Sequence, residues 1–143
     1  MSQDPTILIV DDDEGHAILI HQNLVGAGVA NPIQHFRDGQ AILDFFSSRP
    51  HQSNGTYLIL LDIRMPKVDG IEVLRRLKAD PALRTLPVIM LTTTDDTREV
   101  ARCHQIGCNG YIQKPVDYDK FAEAIRRIGL FLPLLLVPSL GAA

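Results

Sequence analysis

The chain has 143 residues, which is long enough for one globular domain with a sizeable buried core. Hydrophobic residues make up 45% of the chain and charged residues 22%, a balance typical of folded proteins rather than of disordered ones. The formal net charge of −3 and the lack of any basic run argue against nucleic acid as a partner.

The two ends of the chain predict neither a secretion signal nor a membrane span. The N-terminal "MSQDPTILIV" has no basic region and too short an apolar run for a signal peptide. The longest apolar tract, "LFLPLLLVPSL", is interrupted by Pro133 and Pro138. It falls well short of the roughly 20 residues that a membrane span needs. We therefore expect a soluble, cytoplasmic protein with no membrane partner.

Short runs of mostly apolar residues predict five β-strands. The runs at residues 7–10, 56–61 and 87–91 are continuously apolar, which is typical of strands buried on both faces of a parallel sheet. The run at residues 110–113 is a fourth candidate, and the run at residues 32–36 is a weaker fifth one.

Apolar residues at helical spacing lie between these strands and after the last of them. One helix stops before Pro81, and two more, at residues 95–107 and 117–129, are predicted to end at their final glycine. Four of the predicted apolar helix faces consist of Ile18, Leu19 and Leu24; of Ile42, Leu43 and Phe46; of Ile71, Leu74 and Leu77; and of Phe121, Ile125 and Ile128.

The alternation of strand and helix predicts the fold class. Five such alternations indicate right-handed crossovers and a doubly wound parallel α/β sheet. No internal repeat or low-complexity linker divides the chain. We therefore predict one α/β domain at residues 1–129, followed by a hydrophobic C-terminal extension at residues 130–143.

Polar side chains follow four of the predicted strands. The first strand is followed by Asp11 and Asp12, the third by Asp62, the fourth by Thr92 and the fifth by Lys114. In open parallel sheets, ligands bind outside the carboxyl ends of the strands. We therefore expect three carboxylates, a hydroxyl and an ammonium group to meet at one rim of the sheet.

Each of these residues alone has an ordinary structural explanation, and their joint occurrence favours a reactive site. A lone aspartate after a strand is usually a helix cap or a turn residue. Carboxylates that lie close together must share a proton or bind a cation, and Mg²⁺ prefers oxygen ligands of this kind. One carboxylate can then attack phosphorus and form an aspartyl phosphate, with Lys114 balancing the phosphoryl charge and Thr92 donating a hydrogen bond.

Four segments resemble the conserved segments of bacterial response-regulator receiver domains, which include the CheY-like proteins. They are "ILIVDDD", "LILLDIRMPKVDG", "PVIMLTT" and "GYIQKP", in that order and at normal spacing. The resemblance covers residues from about Thr6 to Ile128. It implies a flavodoxin-like fold of five parallel strands in the order 2-1-3-4-5, flanked by five helices.

The resemblance also implies a role for each site residue. Asp62 would be the phosphoacceptor, Asp12 the main metal-binding acid and Asp11 its partner. The backbone carbonyl of Arg64 would complete the protein's share of the Mg²⁺ shell. Thr92 and Lys114 would be the switch hydroxyl and the family's lysine, and Tyr111 the aromatic residue that follows Thr92 on activation. Asp13 is expected only to start a helix, Gly70 to permit close backbone approach, and the Lys114–Pro115 bond to be cis.

The predicted function is that of a stand-alone response regulator in a two-component phosphorelay, which accepts a phosphoryl group from a histidine kinase on Asp62. Such a protein is not an enzyme beyond its own phosphorylation and dephosphorylation, and it has no small-molecule substrate apart from a phosphodonor. The alternative is a Mg²⁺-dependent phosphohydrolase that acts through an aspartyl phosphate. That alternative lacks the D-x-D-x-T/V nucleophile pattern and a cap domain.

The apolar end of the chain predicts a dimerisation arm. An exposed apolar stretch of this kind usually marks an interaction surface, although the tail could instead fold back on its own domain. A short receiver with such an arm resembles the regulators that are paired with bacterial phytochrome histidine kinases. We therefore expect a homodimer with a symmetric interface. The predicted arm residues are Leu130, Phe131, Leu132, Leu134, Leu135, Leu136 and Val137.

The cysteines and histidines do not predict a metal site by their spacing. Cys103 and Cys108 are close to His104, but no second pair of ligands accompanies them. The other histidines are scattered along the sequence without the spacing of a ligand set: His16, His21, His35 and His51.

Overall fold

The computed structural model describes residues 5–48, 57–92, 97–114 and 118–131. Strands and helices alternate through these ranges. The strands are β1 (Thr6–Val10), β2 (Ile33–Phe36), β3 (Tyr57–Asp62), β4 (Val88–Thr92) and β5 (Gly110–Gln113). The helices are α1 (Glu14–Gly26), α2 (Gly39–Ser48), α3 (Gly70–Ala79), α4 (Thr97–Ile106) and α5 (Tyr118–Phe131).

The strands form one parallel sheet in the order β2-β1-β3-β4-β5, which confirms the predicted fold. The register places Val10 beside Leu61, and Asp62 beside Leu91. The carboxyl ends of β1, β3 and β4 therefore lie at the same edge of the sheet. The peptide N–H of Ile63 donates to the carbonyl of Leu91 at 3.0 Å, which ties the chain after Asp62 to β4.

Both faces of the sheet are covered by helices, which explains the continuous apolar runs. Every residue of β3 is buried. Successive residues of a strand point to opposite faces, so each strand contributes to two clusters. One cluster includes Leu8, Val10, Ile59 and Leu61 with residues of α2 and α3. The other includes Ile7, Ile9, Leu58 and Leu60 with residues of α1 and α5.

The buried face of α1 differs from the predicted one. Ala17, Ile20 and Leu24 are buried, whereas Ile18 is 46% exposed and Leu19 is only partly buried. The prediction chose the larger apolar residues and so rotated the stripe towards Ile18. The small Ala17 belongs to the buried face because the stripe is set by helical spacing and not by residue size.

Two predicted helix ends can be compared with the structure. Helix α4 ends before Gly107, whose φ of +124° is in the left-handed region, and the prediction there was correct. The peptide N–H groups of Gly107 and Cys108 both donate to the carbonyl of Cys103 at 3.0 Å, which satisfies the last turn. In contrast, α5 continues through Gly129 to Phe131. A glycine costs only about 1 kcal/mol inside a helix and does not end it by itself.

No helix among the described residues is long and apolar enough to cross a membrane. The predicted arm begins within α5, which includes Leu130 and Phe131, and residues 132–143 lie outside the described residues. The boundary at residues 129 and 130 therefore stays a prediction.

Candidate functional site

Four buried polar side chains meet at the carboxyl edge of the sheet. Asp11 follows β1, Asp62 ends β3, Thr92 ends β4 and Lys114 follows β5. All four are at most 4% exposed, although the rest of the buried core is apolar. The exposed Asp12 stands beside them at the rim. The structure thus brings together the five residues that the sequence placed at strand ends.

Lys114 holds two of the aspartates together. Its Nζ atom lies 2.7 Å from Oδ2 of Asp11 and 3.2 Å from Oδ2 of Asp62. Its own peptide N–H donates to the carbonyl of Thr92 at 2.5 Å, so the backbone that carries the ammonium group is fixed to the end of β4. A buried ion pair of this kind holds a geometry in place, because either charge without the other would be costly to bury.

The second oxygen of Asp11 is also engaged. Oδ1 of Asp11 accepts the peptide N–H of Asp13 at 2.9 Å. Asp13 in turn caps α1, since its Oδ1 accepts the peptide N–H of His16 at 3.1 Å. This hydrogen bond is the main cause of the lowered pKa of Asp13. The prediction that Asp13 starts a helix is confirmed, and its backbone also orients Asp11.

The electrostatic field of the site fits a divalent cation. Asp11, Asp12 and Asp62 can each offer an oxygen within 4.8 Å of the others. Burial raises the pKa of Asp62 to about 7; Lys114 opposes this shift, and the charge of Asp11 adds to it. One ammonium group therefore does not neutralise three carboxylates, and a hard divalent ion would supply the missing positive charge. The proposed ligand role of the Arg64 carbonyl stays a prediction.

The loop after β3 packs tightly against Asp62. The peptide N–H of Gly70 donates to the carbonyl of Ile63 at 2.8 Å. A Cβ atom at Gly70 would collide with the carbonyl oxygen of Asp62 and would lie 2.8 Å from the Cα atom of Ile63. Only glycine permits this approach, as predicted. Within the same loop, Lys67 has a φ of 67°, which is unusual for a residue with a side chain, and its Nζ lies 3.5 Å from Oδ2 of Asp38.

The predicted switch residues lie on neighbouring strands, and a histidine that the sequence did not single out for this role contacts one of them. Thr92 is fully buried, whereas Tyr111 is 49% exposed on β5. The Tyr111 ring packs edge-on against His104 of α4, with a centroid distance of 5.8 Å and an interplanar angle of 77°. Helical spacing alone could not show this contact, because it depends on how α4 lies against β5. Pro115, and with it the predicted cis bond, lies outside the described residues.

Comparison with known proteins decides the family. Residues 7–126 match the family described as "Response regulator receiver domain". The chain belongs to this family. Receiver domains accept a phosphoryl group on an aspartate in two-component signalling, they work with histidine kinases, and they bind Mg²⁺ or Mn²⁺ at an acidic pocket. They are regulators rather than enzymes.

Several relatives resemble this receiver over nearly its whole length. A solved receiver domain from Rhodospirillum rubrum is 43% identical, with a TM-score of 0.88 and coverage of 96% of this chain and 99% of that one. The curated probable methanogenesis regulatory protein FilR2 of Methanothrix harundinacea is 37% identical over 89% of this chain and 83% of its own.

Two further solved structures are similar to this chain. The Mn²⁺-bound form of response regulator Rcp1 is 28% identical, with a TM-score of 0.83 and coverage of 94% of this chain and 99% of that one. The bacteriophytochrome response regulator AtBRR is 34% identical, with a TM-score of 0.70 and coverage of 91% and 96%.

Proposed function

We propose that Asp62 is the phosphoacceptor of this receiver and that its phosphorylation by a histidine kinase switches the binding of a partner. The observation that carries the proposal is the position of Asp62: it is a buried carboxylate at the end of the central strand, 3.2 Å from the ammonium group of Lys114. A carboxylate held in this way is already oriented, which lowers the entropic cost of its attack on phosphorus.

The neighbouring aspartates are less suited to the same role. Both oxygens of Asp11 are engaged, one by Lys114 and the other by the peptide N–H of Asp13. Asp12 is exposed and is not anchored within a strand. Asp62 lies within β3, and the chain after it is pinned to β4 and to α3. Asp62 therefore combines a fixed backbone with a side chain that is less fully engaged than that of Asp11.

The chemical step is a phosphoryl transfer between two side chains. An oxygen of Asp62 forms a bond to phosphorus as the bond between phosphorus and the imidazole nitrogen of the kinase breaks. The imidazole keeps the bonding electron pair and takes up a proton from solvent. Lys114, already beside Asp62, balances the charge of the phosphoryl oxygens, and Thr92 lies at the end of the adjacent strand to donate a hydrogen bond. The protein's enzymatic contribution is confined to this transfer and to slow hydrolysis of the product.

Mg²⁺ is the metal that the donor set favours. Asp11, Asp12 and Asp62 offer only oxygen atoms, which are hard ligands, and the exposed side of Asp12 leaves room for water. When bound, Mg²⁺ supplies the positive charge that brings phosphoryl and carboxylate oxygens together. In its absence, Lys114 is the cation that offsets part of the carboxylate charge.

A phytochrome-type histidine kinase is the proposed partner, and a homodimer is the proposed assembly. The likeness to a bacteriophytochrome response regulator supports the proposed kinase.

The apolar sequence at residues 130–137 supports the proposed homodimer. A truncation after Phe131 keeps all described residues of α5 and removes most of the arm. We expect light scattering to show a dimer for the full chain and a monomer for this truncation; a truncated protein that stays dimeric would refute the arm.

Phosphotransfer profiling tests the function itself. Purified histidine kinases of the source organism are labelled with radioactive phosphate and mixed with the receiver. We expect rapid transfer from a small number of kinases and none to Asp62→Asn. Asp44→Asn is the matched control, because Asp44 is an exposed aspartate on α2 and should leave transfer unchanged. Labelling of Asp62→Asn at the normal rate would assign the phosphoryl group to another residue.

A further inference from the structure

Two histidines that are far apart in sequence meet at the edge of the sheet. Nδ1 of His21, on α1, lies 3.1 Å from Nε2 of His35, on the edge strand β2. Their rings are 5.3 Å apart between centroids and inclined at 69°. The spacing of 14 residues hid this pair from the sequence, and only the packing of α1 against β2 brings the two nitrogens together.

We propose that His21 and His35 form a binding site for a divalent late transition-metal ion, of the class of Zn²⁺, Ni²⁺ or Cu²⁺, distinct from the acidic site. Metal–imidazole bonds are about 2.0–2.1 Å long, so two nitrogens on one tetrahedral or square-planar ion stand roughly 2.9–3.4 Å apart. The separation of 3.1 Å between the two ring nitrogens falls inside that range. A bound ion would lie to one side of the line that joins the two nitrogens, at bonding distance from both.

The remaining ligands of an ion would come from solvent, because His35 is exposed. His35, but not His21, also lines a cavity of about 200 Å³ together with Glu14 and Arg37, which pair at 3.3 Å. Burial and the neighbouring His21 lower the pKa of His35, whereas the charge of Glu14 raises it. The lowered pKa favours the neutral imidazole, which is the form that binds metals.

The two metal sites differ in ligand chemistry. Asp11 and Asp12 line the same cavity, but their oxygens suit Mg²⁺, whereas imidazole nitrogen suits the softer late transition metals. Ions of the two classes can therefore be bound side by side. An ion on His21 and His35 would join α1 to the edge strand and stabilise the folded protein by mass action.

Calorimetric titration of the untagged full chain with Ni²⁺ tests the site. Excess Mg²⁺ is present throughout and competes with Ni²⁺ for the acidic cluster. We expect one equivalent of Ni²⁺ to bind the wild type. His21→Gln and His35→Gln should each weaken this binding by about tenfold or more, since even the groups that only orient a ligand contribute 10–100-fold. Acetyl phosphate labelling of each variant confirms that it is folded.

Two matched controls separate this site from other imidazoles. His16→Gln changes a histidine on the same helix that faces Asp13, and His104→Gln changes one that lies 3.7 Å from the Cys108 sulfur. Both variants should bind Ni²⁺ as the wild type does. The proposal would be overturned if the wild type bound no Ni²⁺ in the presence of excess Mg²⁺. It would also be overturned if Ni²⁺ binding were lost in His104→Gln and kept in His21→Gln and His35→Gln.

A spectroscopic measurement adds an atom-specific outcome. In ¹⁵N-resolved spectra of the imidazoles, substoichiometric Zn²⁺ should move the signals of His21 Nδ1 and His35 Nε2, the atoms that now face each other at 3.1 Å. The signals of His16 should not move. A shift confined to other histidines would contradict the assignment.

Discussion

The guanidinium group of Arg64 lies 3.0 Å from Oε2 and 3.3 Å from Oε1 of Glu99, which joins the loop after Asp62 directly to α4. The Glu99 side chain is 17% exposed and that of Arg64 is 66% exposed, so this ion pair is partly exposed to solvent. This contact connects the loop after β3 to α4 without involving Thr92 or Tyr111, the two proposed switch residues.

Breaking the contact between Arg64 and Glu99 should cost little stability. Partly exposed ion pairs contribute about 0.2–1 kcal/mol, and salt screens them. We expect a coupling free energy in this range from urea unfolding of Arg64→Ala, Glu99→Ala and the double variant, and a smaller one at high salt. The same cycle on Arg127 and Glu123, which pair at 2.8 Å within α5, is the control. A coupling above about 2 kcal/mol would show that the Arg64 pair is far more desolvated than its exposure indicates.

Asp62→Asn should stabilise the metal-free protein at neutral pH and above. Burial raises the pKa of Asp62 from 3.8 to about 7, so between these values the folded protein keeps a proton that the unfolded chain has lost. The free energy of unfolding of the wild type therefore falls as the pH rises from about 4 to 7. Asparagine removes this penalty, and we expect a gain of about 1–3 kcal/mol at pH 8 that vanishes near pH 4.

Urea unfolding with EDTA and with excess Mg²⁺ measures this effect. Mg²⁺ at the proposed site should raise the stability of the wild type more than that of Asp62→Asn, which has lost one of its three carboxylates. Removal of the metal should therefore increase the stability of Asp62→Asn relative to the wild type. Asp44→Asn serves again as the exposed control. An Asp62→Asn protein that is less stable than the wild type in EDTA at pH 8 would contradict the assigned pKa shift.

The fold and the acidic site could be predicted because both depend on local signals. Continuous apolar runs identify buried parallel strands, and the carboxyl ends of such strands share one edge. That rule alone placed Asp62 beside Lys114. The contacts of His104 with Tyr111 and of His21 with His35 could not be predicted, because each joins a helix to a strand at a relative position that no short sequence pattern encodes.

The error in the buried face of α1 and the unpredicted backbone of Lys67 have the same origin in packing. The side chain of Ile18 is large and apolar, yet the rotation of α1 is set by the combined fit of Ala17, Ile20 and Leu24 against the sheet. The left-handed backbone of Lys67 is likewise fixed by the loop that surrounds it and not by the preference of lysine.

Gly70→Ala should damage both stability and phosphorylation. The added Cβ would meet backbone atoms of Asp62 and Ile63, which cannot move aside as a flexible side chain can. We expect a loss of about 2 kcal/mol or more in urea unfolding, as for other overpacked sites, together with slower labelling from acetyl phosphate. Gly26→Ala, at the end of α1, is the control: a Cβ there has no atom within 4 Å, and alanine favours the helix. Equal effects of the two substitutions would show that the approach of Gly70 to Asp62 is looser than described.

Thr92→Ala should leave phosphorylation possible and remove its effect on Tyr111. Thr92 is buried at the end of β4, beside the strand that carries Tyr111, and the exposed Tyr111 ring rests on His104. Phosphorylation shifts the population of a second state only if the phosphoryl group contacts the two states differently, and the Thr92 hydroxyl is the group that we propose for that contact. Acetyl phosphate with Mg²⁺ should therefore shift the NMR signals of the Tyr111 and His104 rings in the wild type. In Thr92→Ala those signals should stay in place while labelling of Asp62 continues.

Thr6→Ala, at the opposite end of the sheet, is the control and should respond as the wild type does. A normal Tyr111 response in Thr92→Ala would mean that the signal travels by another route, such as the contact between Arg64 and Glu99.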